Sequence, residues 1–165
     1  MRIEIKNILC ATDLSDFSDH TIRYGIALAR AFEARVKPCH IIHLPAVTTH
    51  YGTIYIDPHQ EEERLTAFVQ THMEELIKDA GVPWESIIRM GNPADEILRI
   101  SQNPEVDLII TATHGRSGFQ RLLLGSVTEQ LMRAVSCPLL IIGRPEPDAG
   151  TLLSEPFKFK KILVG

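Results

Sequence analysis

The chain has 165 residues, 44% apolar and 23% charged, the proportions of one soluble α/β domain rather than two domains or a disordered segment. A net charge of -4 excludes a broad basic face for nucleic acid, and no apolar run approaches the roughly 20 residues that cross a bilayer. With no charged and apolar leader at Met1, a cytoplasmic protein is expected, one that binds anions locally and uses neither nucleic acid nor membrane insertion.

In chain order, "IEIKNILCAT" (3–12) is short and Ile-rich and predicts a first strand. "DHTIRYGIALARAFEA" (19–34) places Ile22, Ile26, Leu28, Ala29 and Phe32 at helical spacing, with Ser15 and Asp16 as the expected caps. "RVKPCHIIHL" (35–44) predicts a second strand with Pro38 near its start, where a missing donor is tolerated. A long loop, residues 43–58, follows; with Tyr51, Ile54 and Tyr55 it is expected either to cover a ligand or touch a partner, or to be a plain connection.

Residues 59–81 predict a long helix with Leu65, Phe68, Val69, His72, Leu76 and Ile77 on one face and Gly81 as C-terminal cap. "WESIIRMG" (84–91) predicts a third strand. "NPADEILRIS" (92–101) opens a helix with Asn92 as N-cap, Pro93 at its first position and Asp95 and Glu96 against its dipole. "VDLIITAT" (106–113), "SVTEQLMRAV" (126–135) and "CPLLIIG" (137–143) complete the set as strand, helix and strand. Strands separated by helices require right-handed crossovers, hence an open five-stranded parallel sheet with helices on both faces. The apolar runs Leu108–Ile110 and Leu139–Ile142 fit strands covered on both sides.

Residues 1–145 are read as this domain and 146–165 as a linker plus an extra strand. The ending "FKFKKILVG" echoes "IEIKNILCA" near the start, so the tail is either the beginning of a second repeat or a strand added to an edge or a partner. Cys10, Cys39 and Cys137 are far apart, form no CxxC, and are expected to be buried reduced thiols. His40 and His43, three apart on a strand, face opposite ways and do not make a metal pair; His50, His59 and His72 are expected to be solvated or partly packed.

In an open doubly wound sheet, ligands bind beyond the carboxyl ends of the strands, where the strand order reverses. Two such ends are polar: "ATDLSD" (11–16) and "ATHGRSG" (112–118). Gly115 lets a phosphate approach the main chain, and Gly125-Ser126 opens a helix whose first amides and dipole favour an anion. Taken alone, Gly125-Ser126 is a tight turn and a helix start; its distance behind the strand points to the anion site. Arg116 and Arg121 lie between the glycines, suited to a polyphosphate. Asp13 suits ribose hydroxyls or a water-bridged Mg²⁺. No Walker P-loop or GxGxxG fingerprint is present, which disfavours an ordinary kinase, GTPase or dehydrogenase.

These residues resemble the universal stress proteins. The nucleotide-binding members carry Gly, two residues, Gly, nine residues, Gly and Ser or Thr; here the stretch runs Ala112-Thr113-His114-Gly115, nine residues, Gly125-Ser126, with Ala112 replacing the first glycine. The resemblance, over residues 3–143, implies a Rossmann-like sheet in the order 3-2-1-4-5. It implies ATP or AMP with adenine near Ala11 and Ile41 and ribose near Asp13. The phosphates would meet Gly115, Gly125, Ser126 and the amides of Val127 and Thr128, and Thr12, Ala112, Thr113 and His114 complete the expected binding residues. It further implies a homodimer through the fifth strand or the C-terminal strand. Two other functions stand beside this regulatory module: a slow ATP hydrolase, which needs a positioned base near the γ-phosphate, and an interaction protein without nucleotide.

Overall fold

The computed structural model describes residues 4–43, 58–113 and 125–143. Among these residues five strands and four helices alternate: β1 (Asn7–Ala11), α1 (Asp19–Phe32), β2 (Arg35–Ile42), α2 (Pro58–Ile77), β3 (Ile87–Met90), α3 (Pro93–Ser101), β4 (Leu108–Ala112), α4 (Ser126–Ala134) and β5 (Leu139–Ile142). All pairings are parallel and the order is β3-β2-β1-β4-β5, as expected. The order reverses between β1 and β4, so their carboxyl ends flank a cleft.

Strand alternation divides the core into two layers. Ile8, Cys10, Val36 and Ile110 pack under α1 with Ile22 and Ile26, while Leu9, Cys39, Ile41 and Ile109 pack under α3 and α4 with Ile97, Ile100 and Leu131. Every residue of β4 is buried, as a central parallel strand requires. In β5 only Ile142 is buried and Leu139–Ile141 are half-exposed, because among the described residues the strand has a neighbour on one side only.

Several helix and strand details depart from expectation. Phe32 and Phe68 are exposed; the buried stripe of α2 is Val69, Met73 and Ile77, spaced by four, and Phe68 falls outside it. Helix α1 is capped by neither Ser15 nor Asp16: its N-cap is Ser18, whose hydroxyl serves the preceding loop instead of the helix. Asn92 does cap α3, accepting from the amides of Ala94 and Asp95 at 3.0 and 3.3 Å, with Pro93 next to it.

Pro38 lies mid-strand in β2, buried, paired with Cys10. Carbonyl Cys39 faces β1, accepting from Thr12 N, and Val36 faces the opposite side, bonding Pro83 and Glu85. Alternation therefore turns the nitrogen of Pro38 toward β3, into the gap between the Val36–Trp84 bridge and the ladder that starts at Cys39–Ile87. The register is the same on both sides of that gap, so the ladder bond missing there is the one that Pro38, with no N–H, cannot donate.

Cys10 and Cys39 are buried, while Cys137 precedes β5 and is half-buried. Burial, with Cys39 nearby, raises the Cys10 thiol; burial also pushes the Cys39 thiol up to about 12, against Arg89 and with Glu96. Protonated buried thiols are inert. A thiol reagent is therefore expected to titrate Cys137 first in native protein and Cys10 and Cys39 only on unfolding; three thiols reacting together before unfolding would contradict this core.

Candidate functional site

The chain leaves the sheet at Ala11, whose carbonyl accepts from the Thr21 hydroxyl at 3.0 Å, tying the strand end to α1. The loop that follows is built from its own side chains. Asp13 Oδ1 accepts from the Ser15 amide at 3.1 Å and the Ser15 hydroxyl at 2.6 Å, a turn that fixes the carboxylate in place. Leu14 takes a left-handed φ of 62°, a strained conformation for a branched side chain, and its amide is held by Thr12 Oγ1 at 3.0 Å. Thr12 turns its hydroxyl toward Ser18 and Asp19.

Across the switch point, two bonds fasten α4 to the end of β4. Gly125 donates its amide to the Thr113 carbonyl at 2.7 Å, and the Thr128 hydroxyl donates to the Ala112 carbonyl at 2.7 Å. Because that uses the one Thr128 hydroxyl proton, Thr111, 3.1 Å away, donates to Thr128. The first bond within the helix runs from Glu129 N to Gly125 O, so the amides of Ser126, Val127 and Thr128 have no acceptor inside the helix. They and the dipole form a positive helix end.

Gly125 itself has φ -60° and ψ 146°, angles open to any residue. What a side chain would meet there is a tight space: a Cβ would lie 3.3 Å from the Thr113 carbonyl oxygen.

Between these two ends lies a cavity of about 350 Å³, within the usual range for small-molecule sites. Of the residues singled out from sequence, Ala11, Thr12, Asp13, Ile41, Ala112, Gly125, Ser126, Val127 and Thr128 line it. Thr113 stands behind Gly125 as its acceptor. His114 and Gly115 fall outside the described residues, as do Arg116, Arg121, the 44–57 loop and residues 144–165.

The structure adds Ser18, His40, Pro93, Ile97 and Thr111 to the lining. Pro93 and Ile97 arrive because α3 also begins at a strand's carboxyl end, a position the doubly wound rule marks as a site wall. His40 sits beside β1, its Nδ1 2.8 Å from the Thr12 carbonyl. A carbonyl only accepts, so the proton belongs on Nδ1. His43 lies elsewhere, its Nδ1 3.2 Å from the Gly91 carbonyl.

The cleft has two chemistries. Ala11, Ile41 and Ile97 give it an apolar wall continuous with the α3/α4 core, suited to a flat ring. The rim of Asp13 and the α4 N-terminus is polar: a carboxylate for hydroxyl groups on one side, amides for an anion on the other. The Ala112 methyl belongs to the cluster under α1, on the sheet face opposite that wall.

A doubly wound parallel sheet with a ligand cleft at its switch point and a helix N-terminus at the rim defines the class of protein. Residues 4–143 match the model of the universal stress protein family, and the chain belongs to that family. Universal stress protein MJ0531 of Methanocaldococcus jannaschii is 27% identical over 87% of this chain and 85% of its own length. The solved structure of MJ0577, from the same organism, is 26% identical, with a TM-score of 0.66 over 87% of this chain and 99% of that one. A family member from Arabidopsis thaliana solved with AMP bound shares the fold at 15% identity, with a TM-score of 0.55 over 91% of this chain and 99% of that one. Among the described residues, no helix is long and apolar enough to cross a membrane.

Proposed function

We propose that this chain binds ATP or AMP in the β1/β4 cleft and acts as a regulatory stress-response module through a dimer. The observation that carries the reading is the α4 N-terminus, opened by Gly125-Ser126 and fastened to the end of β4 by two hydrogen bonds. Adenine would lie against Ala11, Ile41 and Ile97, the ribose hydroxyls would donate to Asp13, and the phosphates would take the amides of residues 126–128. The AMP carried by the Arabidopsis relative supports the same ligand class. Mg²⁺, where present, would ride on the phosphates with Asp13 reaching it through water.

A dimer through β5 is supported by the half-exposed apolar edge Leu139–Ile141 and by Met132, 55% exposed on the neighbouring helix. Hydrolysis is the second reading. Among the described residues the one carboxylate lining the cleft is Asp13, and its turn with Ser15 and its place opposite the α4 amides fit it to ribose better than to a γ-phosphate.

The test is mass spectrometry of small molecules released by denaturing natively purified protein, followed by calorimetric titration with ATP and AMP. Released adenine nucleotide, or saturable binding of either, is the expected result. No nucleotide released and no heat of binding would leave the fold serving as a nucleotide-free interaction protein.

A further inference from the structure

A buried carboxylate outside the cleft is hydrogen-bonded to the loop that forms one of its walls. Asp19, the first residue of α1, is only 6% exposed, and a carboxylate at that depth needs donors on both oxygens. Oδ1 accepts from the Thr12 hydroxyl at 3.1 Å, and Oδ2 lies 2.8 Å from His72 Nε2 on α2. An ionised carboxylate only accepts, so Nε2 carries a proton and the single Thr12 hydroxyl proton points at Asp19.

The Thr12–Ser18 contact of 2.8 Å must then be donated by Ser18, which leaves Ser18 Oγ to accept from the amides of Asp13 and Ser15 at 3.1 and 3.2 Å. The bonds share one direction: loop amides donate to Ser18, Ser18 to Thr12, and Thr12 to Asp19, which His72 meets from the far side. Thr12, Asp13 and Ser18 line the cleft; Asp19 and His72 do not.

We propose that Asp19 and His72 are positioning residues through which α2 sets the nucleotide affinity of the cleft. The inference rests on the cleft being an adenine-nucleotide site. Without a donor from α2, one Asp19 oxygen is left buried and unmatched, so the carboxylate turns toward water. Thr12 can then give its proton to Ser18, and Ser18 its own to the Ser15 carbonyl 3.1 Å away, and the chain that fixes Asp13 and strained Leu14 loses its direction.

The experiment titrates AMP calorimetrically into the full chain and its His72→Leu, His72→Gln and Asp19→Ala variants and the Asp19→Ala, His72→Leu double variant. Amide hydrogen exchange across residues 12–18 is followed in the same proteins without nucleotide. His72→Leu is expected to weaken AMP binding about tenfold and to speed exchange at Asp13 and Ser15. His72→Gln, which keeps an N–H donor, should restore both, and His72→Leu should add nothing once Asp19 is alanine.

Unchanged exchange and affinity in His72→Leu would overturn the proposal, and so would losses that His72→Gln fails to restore, which would mark simple packing of α2. If the unmodified chain binds no AMP, the nucleotide reading fails, and the exchange rates alone decide whether α2 governs the loop.

Discussion

A Gly125→Val variant is expected to fold with a modest loss of stability and to bind ATP or AMP at least about 100-fold more weakly, close to 2.7 kcal/mol. The backbone at Gly125 is one that valine adopts without strain, so the effect is one of space. The new Cβ would stand 3.3 Å from the Thr113 carbonyl oxygen, tight enough to push the first turn of α4 away from β4. That displaces the amides meant for phosphate and lengthens the 2.7 Å bond from the Gly125 amide to Thr113. The γ-methyls add bulk at the cleft mouth itself, which alanine would not, so Gly125→Ala should lose much less. Calorimetric affinities beside thermal melts separate the two contributions; undiminished binding by Gly125→Val would remove the α4 N-terminus from the site.

Gly25→Ala is expected to lower folding stability by about 1 kcal/mol, in spite of alanine's better helix propensity. A Cβ at this position in α1 would lie 2.3 Å from Cys10 Sγ, with Val36 Cγ1 at 3.4 Å on the other side. Overpacking of a close-packed core costs about 1–3 kcal/mol, occasionally more, and the helix gains back about 1 kcal/mol from losing glycine. The test lies in the partner: with Cys10→Ala as well, the nearest atom of residue 10 is its own Cβ, 3.9 Å away, an ordinary contact. The double variant should melt higher than Gly25→Ala alone. A Gly25→Ala protein as stable as the parent in denaturant titration would show that α1 sits farther from β1 than described.

These two glycines illustrate how sequence and structure divide the information. Gly125 was legible because it follows an apolar strand and precedes an amphipathic helix, a local pattern with a known chemical use. Gly25 was not: inside a helical periodicity it is merely a weak helix former, and only the approach of α1 to β1 gives it a function. The Asn92-Pro93 start of α3 was equally legible, since a cap involves neighbours two or three residues away. The cap of α1 was misread, because Ser18 spends its hydroxyl on a loop whose shape is set by the cleft.

The same distinction runs through the site. Ala11, Asp13, Ile41, Gly125 and Ser126 were found from sequence by pattern and resemblance, at strand ends and a helix start where the doubly wound rule places ligands. His40, Ile97 and Thr111 join them through parallel pairing and helix docking, contacts between segments far apart in the chain. His72 and Asp19 are 53 positions apart, and nothing in either neighbourhood signals the other.

The sequence by itself determined the elements, their alternation and hence the sheet, because periodicity, caps and turns are short-range properties. Only the tertiary structure decided which faces met, that Phe68 stays in solvent while Met73 is buried, and that a buried carboxylate ties α2 to the cleft wall. Those outcomes depend on distances between side chains that no local pattern encodes.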